Sequence, residues 1–235
     1  MTLCKFLAWD SDFFGLRLAR VVDAQLTDEH VRSIDTWAHQ HAIDGLYYLA
    51  NVDDIASIHV AEHHQFRLVD IRLTLELNNP PFTDTGSHAR VAIESDLPAL
   101  RQIAHQIHTD SRFYADLHFD RTRCGQLYEA WIDKAWRDET STIFTLEHAG
   151  IASAYITCDI HDTHGEIGLF GVSPHAQGHG YGGQLLVTAL NHFSTNHVKT
   201  VSVVTQGKNI AAQNIYIKYG FRPNHIQLWF HKWYL

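Results

Sequence analysis

"VSPHAQGHGYGGQLL", Val172 to Leu186, places four glycines between Gly178 and Gly183 and runs straight into a helical pattern. A tight turn needs only one or two glycines. Backbone amides exposed at a helix start, with aligned peptide dipoles behind them, attract an anion, and glycines let phosphate oxygens approach without meeting a Cβ. The stretch therefore predicts a phosphate-bearing ligand. Two common versions are excluded: no Lys-Ser/Thr pair closes the turn as a P-loop requires, and the spacing of Gly178, Gly180, Gly182 and Gly183 is not that of the dinucleotide fingerprint. The runs before it, "STIFTLEHAG", "IASAYITCDI" and "HGEIGLFGVSP", are β-rich and separated by turn residues, which predicts an antiparallel meander and not a Rossmann unit.

Downstream, "GQLLVTALNHFSTN" reads as a helix, "TVSVVTQ" as a strand, Ile210 to Lys218 as a second helix, and the remainder as strands. Upstream, "RVAIESDLPALRQIAHQIH" reads as a short strand, an N-cap at Ser95 or Asp96 with a proline just inside, and an amphipathic helix. "CGQLYEAWIDKAWR" presents Leu127, Tyr128, Trp131, Ile132 and Ala135 at helical spacing. The least patterned stretch is "NNPPFTDTGSHA", residues 78–89, and a domain boundary is placed there, giving units 1–85 and 86–235. A faint repeat links the two: at an offset of 155 residues, Asp54 falls on Asn209, Ile55 on Ile210, Ala56 on Ala211, Phe66 on Phe221 and Ile71 on Ile226. The shared amphipathic period also produces such matches by chance. The first copy has Ala61 where the second has Tyr216, and Gln65 where the second has Gly220.

Bulk composition sets the remaining limits. The 235 residues, 45% hydrophobic and 19% charged, suffice to bury a sizeable core. A formal charge of -8 argues against a broad grip on nucleic acid or an anionic membrane, while leaving room for a local basic pocket. Cys4, Cys124 and Cys158 are scattered and lack CxxC spacing, so they read as reduced thiols. Lys5, Asp10 and Asp12 interrupt any signal-peptide core, and no run of about 18 apolar residues occurs, so a cytoplasmic location is the expectation.

The glycine turn resembles the coenzyme A pyrophosphate loop of the GNAT superfamily of N-acyltransferases: Gln177, Gly178, His179, Gly180, then Tyr181 and Gly182. The superfamily's second hallmark is matched by "NIAAQNIYIKYGF", with Asn209, Ala212, Tyr216, Gly220 and Phe221. "WDSDFFGLRLARV", "DLPALRQIA", "SRFYAD" and "YEAWIDKA" are similar to bacterial dTDP-fucosamine acetyltransferases, in which a partial GNAT-like N-terminal domain precedes the catalytic one. The resemblance implies an α/β (α+β) GNAT fold with a central mixed, mostly antiparallel sheet flanked by helices. It implies acyl-CoA, acetyl by default, as co-substrate, no metal, and a dTDP-linked amino sugar as acceptor; strand pairing between copies of the C-terminal sheet would allow a homodimer.

Carried onto this sequence, the resemblance assigns the pantetheine arm and thioester carbonyl to the backbone of Leu169, Phe170, Gly171 and Val172. It assigns the pyrophosphate to Gln177 through Gly182, a coenzyme contact to Asn209, and protonation of the departing thiolate to Tyr216, with Tyr219 as rival. Asn209 also fits an ordinary N-cap. Glu166 and His164 are the candidate bases; both also fit a solvated strand end, and a bound water is an alternative route for the proton. Arg112, Arg121 and Arg123, from "SRFYAD" and the following "FDRTR", would meet the sugar-nucleotide pyrophosphate, with Phe113, Tyr114 and Phe119 stacking on the thymine or covering the sugar ring.

Other readings start from other residues. "HVAEH", His59 to His63, fits the H-x-x-E-H pattern of inverted zincins. A coenzyme-binding module without turnover, or a GNAT enzyme acting on a peptide N-terminus, a polyamine or an antibiotic, is compatible with the same two motifs.

Overall fold

The computed structural model describes residues 3–22, 25–83 and 88–234. Its strands are β1 (Cys4–Phe6), β2 (Leu18–Val21), β3 (Gly45–Asn51), β4 (Arg67–Asn78), β5 (Arg90–Val91), β6 (Ser141–His148), β7 (Ile151–His161), β8 (His164–Val172), β9 (Thr200–Gln206) and β10 (Arg222–Trp233). The helices are α1 (Ala8–Phe14), α2 (Asp28–Gln40), α3 (Ile55–His63), α4 (Leu97–Ile107), α5 (Arg112–Ala115), α6 (Arg121–Arg137), α7 (Tyr181–Thr195) and α8 (Ile210–Lys218). All ten strands join one sheet in the order β1-β2-β3-β10-β4-β9-β8-β7-β6-β5. Among the described residues only β2 with β3 and β8 with β9 run parallel, so the expected mixed, mostly antiparallel sheet is borne out. The boundary placed at residue 85 lies outside the described residues.

The faint repeat is written into the geometry. Shifting β3, α3 and β4 by 155 residues reproduces the limits of β9, α8 and β10. Asp54 caps α3 by accepting from the Ser57 amide, and Asn209 caps α8 by accepting from the Ala212 amide. The two copies do not lie side by side but interlock: β10 pairs with β3 and β4 pairs with β9, in equivalent registers. β4 and β10 meet at the centre, where Arg72 faces its own repeat equivalent, Gln227, and donates to its side-chain oxygen at 2.9 Å. This pair marks a pseudo-twofold axis through the sheet.

Strand alternation sends side chains to two helical layers. On one face α2 and α3 cover Ala19, Val21, Leu46, Tyr48 and Phe230, and α7 and α8 cover Leu73, Leu75, Ile167, Val201 and Val203. On the other, α4 and α6 cover Ile143 and Tyr155, while Phe113, Phe119, Cys124 and Leu127 pack against Tyr47 and Leu18. The three cysteines are free and buried. Among the described residues, no helix is long and apolar enough to cross a membrane.

Candidate active site

The site begins where two parallel strands part. β8 and β9 pair only from His164 to Ile167, yet β8 runs on to Val172 and β9 to Gln206. A bulge in β8 starts the departure, because Gly168 and Leu169 together oppose Thr157 on β7. Thr157 Oγ1 accepts from the Leu169 amide at 2.7 Å, so that N–H is already satisfied. The wedge so opened is part of a cavity of about 610 Å³ that passes through the sheet. Asn209, Ala212 and Tyr216, one stripe of α8, line it from one layer; Ile107, His108, Arg112, Tyr128 and Trp131 line it from the other.

The glycine turn lies at the start of α7, beyond the end of the β8 arm. A short 3₁₀ turn, Pro174–Ala176, leads into it, and Gly178 (φ +81°) and Gly180 (φ +75°) take the left-handed conformation that L side chains avoid. Gly180 stands at the N-cap of α7 and no side chain caps that helix. Gly182 and Gly183 serve a different need. A Cβ on Gly182 would meet Ile215 Cδ1 at 3.0 Å, and one on Gly183 would meet the Tyr219 hydroxyl at 2.6 Å. The four glycines therefore divide between shaping the turn and letting α8 pack closely on α7. Gln177, Gly178, His179 and Gly180 are exposed; Tyr181 is half-buried and its hydroxyl lies 3.1 Å from His148 Nδ1.

Tyr216 is buried at 3% exposure, with Phe170 and Phe221 about it, and burial pushes its phenol upward, keeping it protonated. Tyr219, the sequence rival, instead lies against Gly183 and is not among the residues lining the cavity. Glu166 lines the cavity and is exposed; His164 shares its face of β8 but hydrogen-bonds Ser202 Oγ at 2.9 Å and does not line the cavity.

Of the predicted acceptor residues, Arg112 and Phe113 line the cavity; Tyr114, Arg121 and Arg123 do not, nor does Phe119, which is buried in the core beside Tyr47 and Leu18. Arg112 is held by three aromatic faces, Tyr47 (4.1 Å), Phe113 (4.2 Å) and Trp229 (4.4 Å), and its Nη1 donates to His231 Nε2 at 3.0 Å. His231 Nδ1 in turn donates to Asp116, which also accepts from Trp233 and His118. Burial opposes the charge of Asp116, yet these donors hold its carboxyl well below the usual range. Arg121 is exposed and donates to the Tyr114 carbonyl, while Arg123 is exposed above Phe13.

Sequence reasoning missed Asp70 and His108. Asp70, from β4 of the first copy, lines the cavity, and burial pushes its carboxyl up to about 6. Burial pushes the His108 imidazole down to about 4. Nothing local in the sequence marks either; the only available signal is that β4 alternates, which places Asp70 and Arg72 on the face opposite Leu73 and Leu75. His59 and His63 are exposed on α3, and among the described residues no three His, Cys, Asp or Glu side chains are grouped to hold a metal.

The model of the acetyltransferase (GNAT) family matches residues 100–221. Over 232 residues the chain is 29% identical to dTDP-fucosamine acetyltransferase of Escherichia coli O6:H1 (strain CFT073), covering 96% of each chain. It is 22% identical over 197 residues to the spore coat polysaccharide biosynthesis protein SpsD of Bacillus subtilis (strain 168), covering 81% of this chain and 67% of that one. A GCN5-related N-acetyltransferase from Sphaerobacter thermophilus has the same fold, with a TM-score of 0.70 at 15% identity over 98% of this chain and 76% of that one.

Proposed function

The chain belongs to the acetyltransferase (GNAT) family, and from that premise we propose that it moves an acyl group, acetyl by default, from acyl-CoA to the amine of a dTDP-linked amino-dideoxyhexose. The supporting observation is the cavity that crosses the sheet where β8 leaves β9: it lets a thioester held on one layer meet an amine held on the other. The nearly full-length similarity to dTDP-fucosamine acetyltransferase supports the acceptor class. Residues 1–85 serve as a partial GNAT-like unit that supplies Asp70 and Arg72 to the site.

The chemistry follows from the placements. The amine must be neutral to attack, and Asp70, with its carboxyl raised to about 6, is ionised at neutral pH and matched to accept a proton there. Glu166 is a second carboxylate on the same cavity. The backbone of Phe170, Gly171 and Val172, left unpaired on the β9 side, orients the thioester and meets the developing oxyanion. Tyr216, held protonated by burial, gives its proton to the departing thiolate. The uncapped start of α7 receives the pyrophosphate of the coenzyme. Arg112, with Phe113 beside it, meets the charge of the nucleotide diphosphate.

One observation favours a second reading. Asp70, Asp110, Asp138, Asp159 and Glu166 outnumber Arg72, Arg112 and Lys134 on the cavity wall, which suits a polycationic acceptor such as a polyamine or an aminated antibiotic. Free-thiol release from acetyl-CoA and longer acyl-CoAs decides, with dTDP-linked 3-amino and 4-amino dideoxyhexoses offered beside spermidine and an aminoglycoside. Turnover confined to one sugar isomer is the expected result; turnover confined to the polycations would replace the sugar assignment.

A further inference from the structure

His108 stands in the turn between α4 and α5, on the cavity wall that faces away from α7 and α8. Its Nε2 is 2.7 Å from the Tyr155 hydroxyl. Tyr155 is fully buried, and that hydroxyl has no second partner among the described residues. If His108 donated here, the phenolic proton would be buried with nothing to accept it. Buried donors in folded proteins find acceptors, so Tyr155 donates and Nε2 accepts. The imidazole is neutral in this enclosure, with burial holding it down at about 4, and so carries its single proton on Nδ1. Stacking on Tyr128, with centroids 4.6 Å apart and planes 21° apart, fixes the ring. Among the described residues, nothing accepts from Nδ1.

A neutral ring with a locked tautomer, set into a cavity with one unclaimed N–H, is a reader of oxygen atoms. Its place selects which ligand it reads. Ile107, the preceding residue, packs on Gly171 so tightly that a Cβ there would lie 2.1 Å from Ile107 Cδ1, which puts His108 level with the β8 arm. Asp110 and Arg112 follow on the same wall, whereas the coenzyme-side residues Asn209 and Tyr216 stand on the other layer. We propose that His108 is a specificity-determining residue that donates its Nδ1–H to a hydroxyl or ring oxygen of the acceptor, with Tyr155 setting the tautomer. A site built to hydrogen-bond an oxygen discriminates strongly against amines that lack one. The inference rests on the acyl-transfer reading but not on which oxygen-bearing amine is the acceptor.

The test has two arms. In the first, ¹⁵N NMR of the wild-type protein at pH 7, without any acceptor, is expected to show His108 protonated at Nδ1 and unprotonated at Nε2; a proton on Nε2 overturns the proposal. In the second, acetyl-CoA and dTDP-4-amino-4,6-dideoxygalactose are the substrates. His108→Gln, whose amide reaches the Nε2 position, is expected to raise the acceptor KM about tenfold, the size of one lost hydrogen bond. The acetyl-CoA KM should stay unchanged, and His108→Asn, which keeps an N–H near the Nδ1 position, should restore most of the acceptor affinity. An unchanged acceptor KM in His108→Gln, or a shift in the acetyl-CoA KM alone, overturns it. Should this sugar nucleotide not be turned over, the isomer that the thiol-release panel identifies takes its place in the second arm; failure of every isomer defeats the sugar assignment, while the tautomer measurement still decides the fate of His108.

Discussion

The two copies of the strand-helix-strand unit share element limits and helix caps, yet the helices before them, α2 and α7, begin in opposite ways. Thr27 closes α2 with its own hydroxyl, accepting from the His30 amide at 3.2 Å, and Asp28 and Glu29 place negative charge in the first turn. α7 starts at a left-handed glycine with neither a side-chain cap nor an acid in its first turn. The positive end of a helix dipole is thus quenched from within in one copy and left for a ligand in the other. The strands tell the same story. β2 ends one residue after its last pairing with β3, whereas β8 continues five residues past its last pairing with β9 and then enters the glycine turn. In the first copy β2 stops short, residues 22–27 contain no glycine, and Ala61 stands in place of the phenol. The two copies thus share strand limits and helix caps and differ in the segments around the cavity.

That contrast can be broken most severely at Tyr216. Replacing it with Phe leaves the packing that Ala61 shows a copy can spare, and should lower kcat by about 10²-fold or more, the usual worth of a proton donor, with little change in Tm. Stopped-flow thiol release measures it. Asp70→Asn comes next: kcat is expected to fall at least about tenfold, less than the full worth of a general base because Glu166 faces the same cavity. The wild-type rate should fall as pH drops through about 6, because the base must be ionised, and the variant should lose that limb. Stability moves the other way. A carboxyl whose folded pKa is raised binds its proton more readily in the fold, so ionisation weakens the fold as pH rises from the ordinary carboxylate value toward 6. Asp70→Asn should therefore raise Tm at pH 7 while lowering activity.

A milder change makes α7 imitate α2. Tyr181→Asp sets a carboxylate at the first helical position, where α2 has Asp28. It should raise the acyl-CoA KM several-fold, while the gain of about 0.3–1 kcal/mol from its position on the dipole is outweighed by loss of the half-buried ring and its contact with His148, so Tm should fall. Calorimetric titration with CoA and a melting curve would read the two effects separately. The smallest change concerns the scaffold alone: Gln65 carries φ +65° where its equivalent is Gly220 at +96°. Gln65→Gly should relieve left-handed strain of about 1 kcal/mol and leave both KM values untouched. A loss of stability would show that the Gln65 side chain contributes more than its backbone costs.

Much of this was legible in the sequence because it is local. The glycine turn, the α8 stripe of Asn209, Ala212 and Tyr216, and even the 155-residue repeat are patterns within short windows, and the structure places them as elements with the expected limits. Asp70, His108 and the Asp116–His231–Arg112 chain were not legible, because each depends on strands meeting across the whole chain. Asp70 reaches the cavity only because β4 is inserted between β10 and β9, and His231 reaches Arg112 across 119 positions of sequence. The basic cluster of Arg112, Arg121 and Arg123 separated for the same reason. Arg112 turns inward at the start of α5, while Arg121 and Arg123 begin α6 on its exposed side.

The interlocked centre of the sheet also governs how the molecule comes into being. Asn51 and Gln227 are hydrogen-bonded neighbours 176 positions apart, and β4 has a partner from the second copy on each of its edges. A chain emerging from the ribosome therefore exposes β3 and β4 as unpaired edges until β9 and β10 have been made, a long interval at synthesis rates of about 5–20 residues per second. Closing such distant pairings is slow compared with local hairpins, and open edges are where chains aggregate. Neither half should survive as a separate fragment, because each completes its sheet on strands of the other.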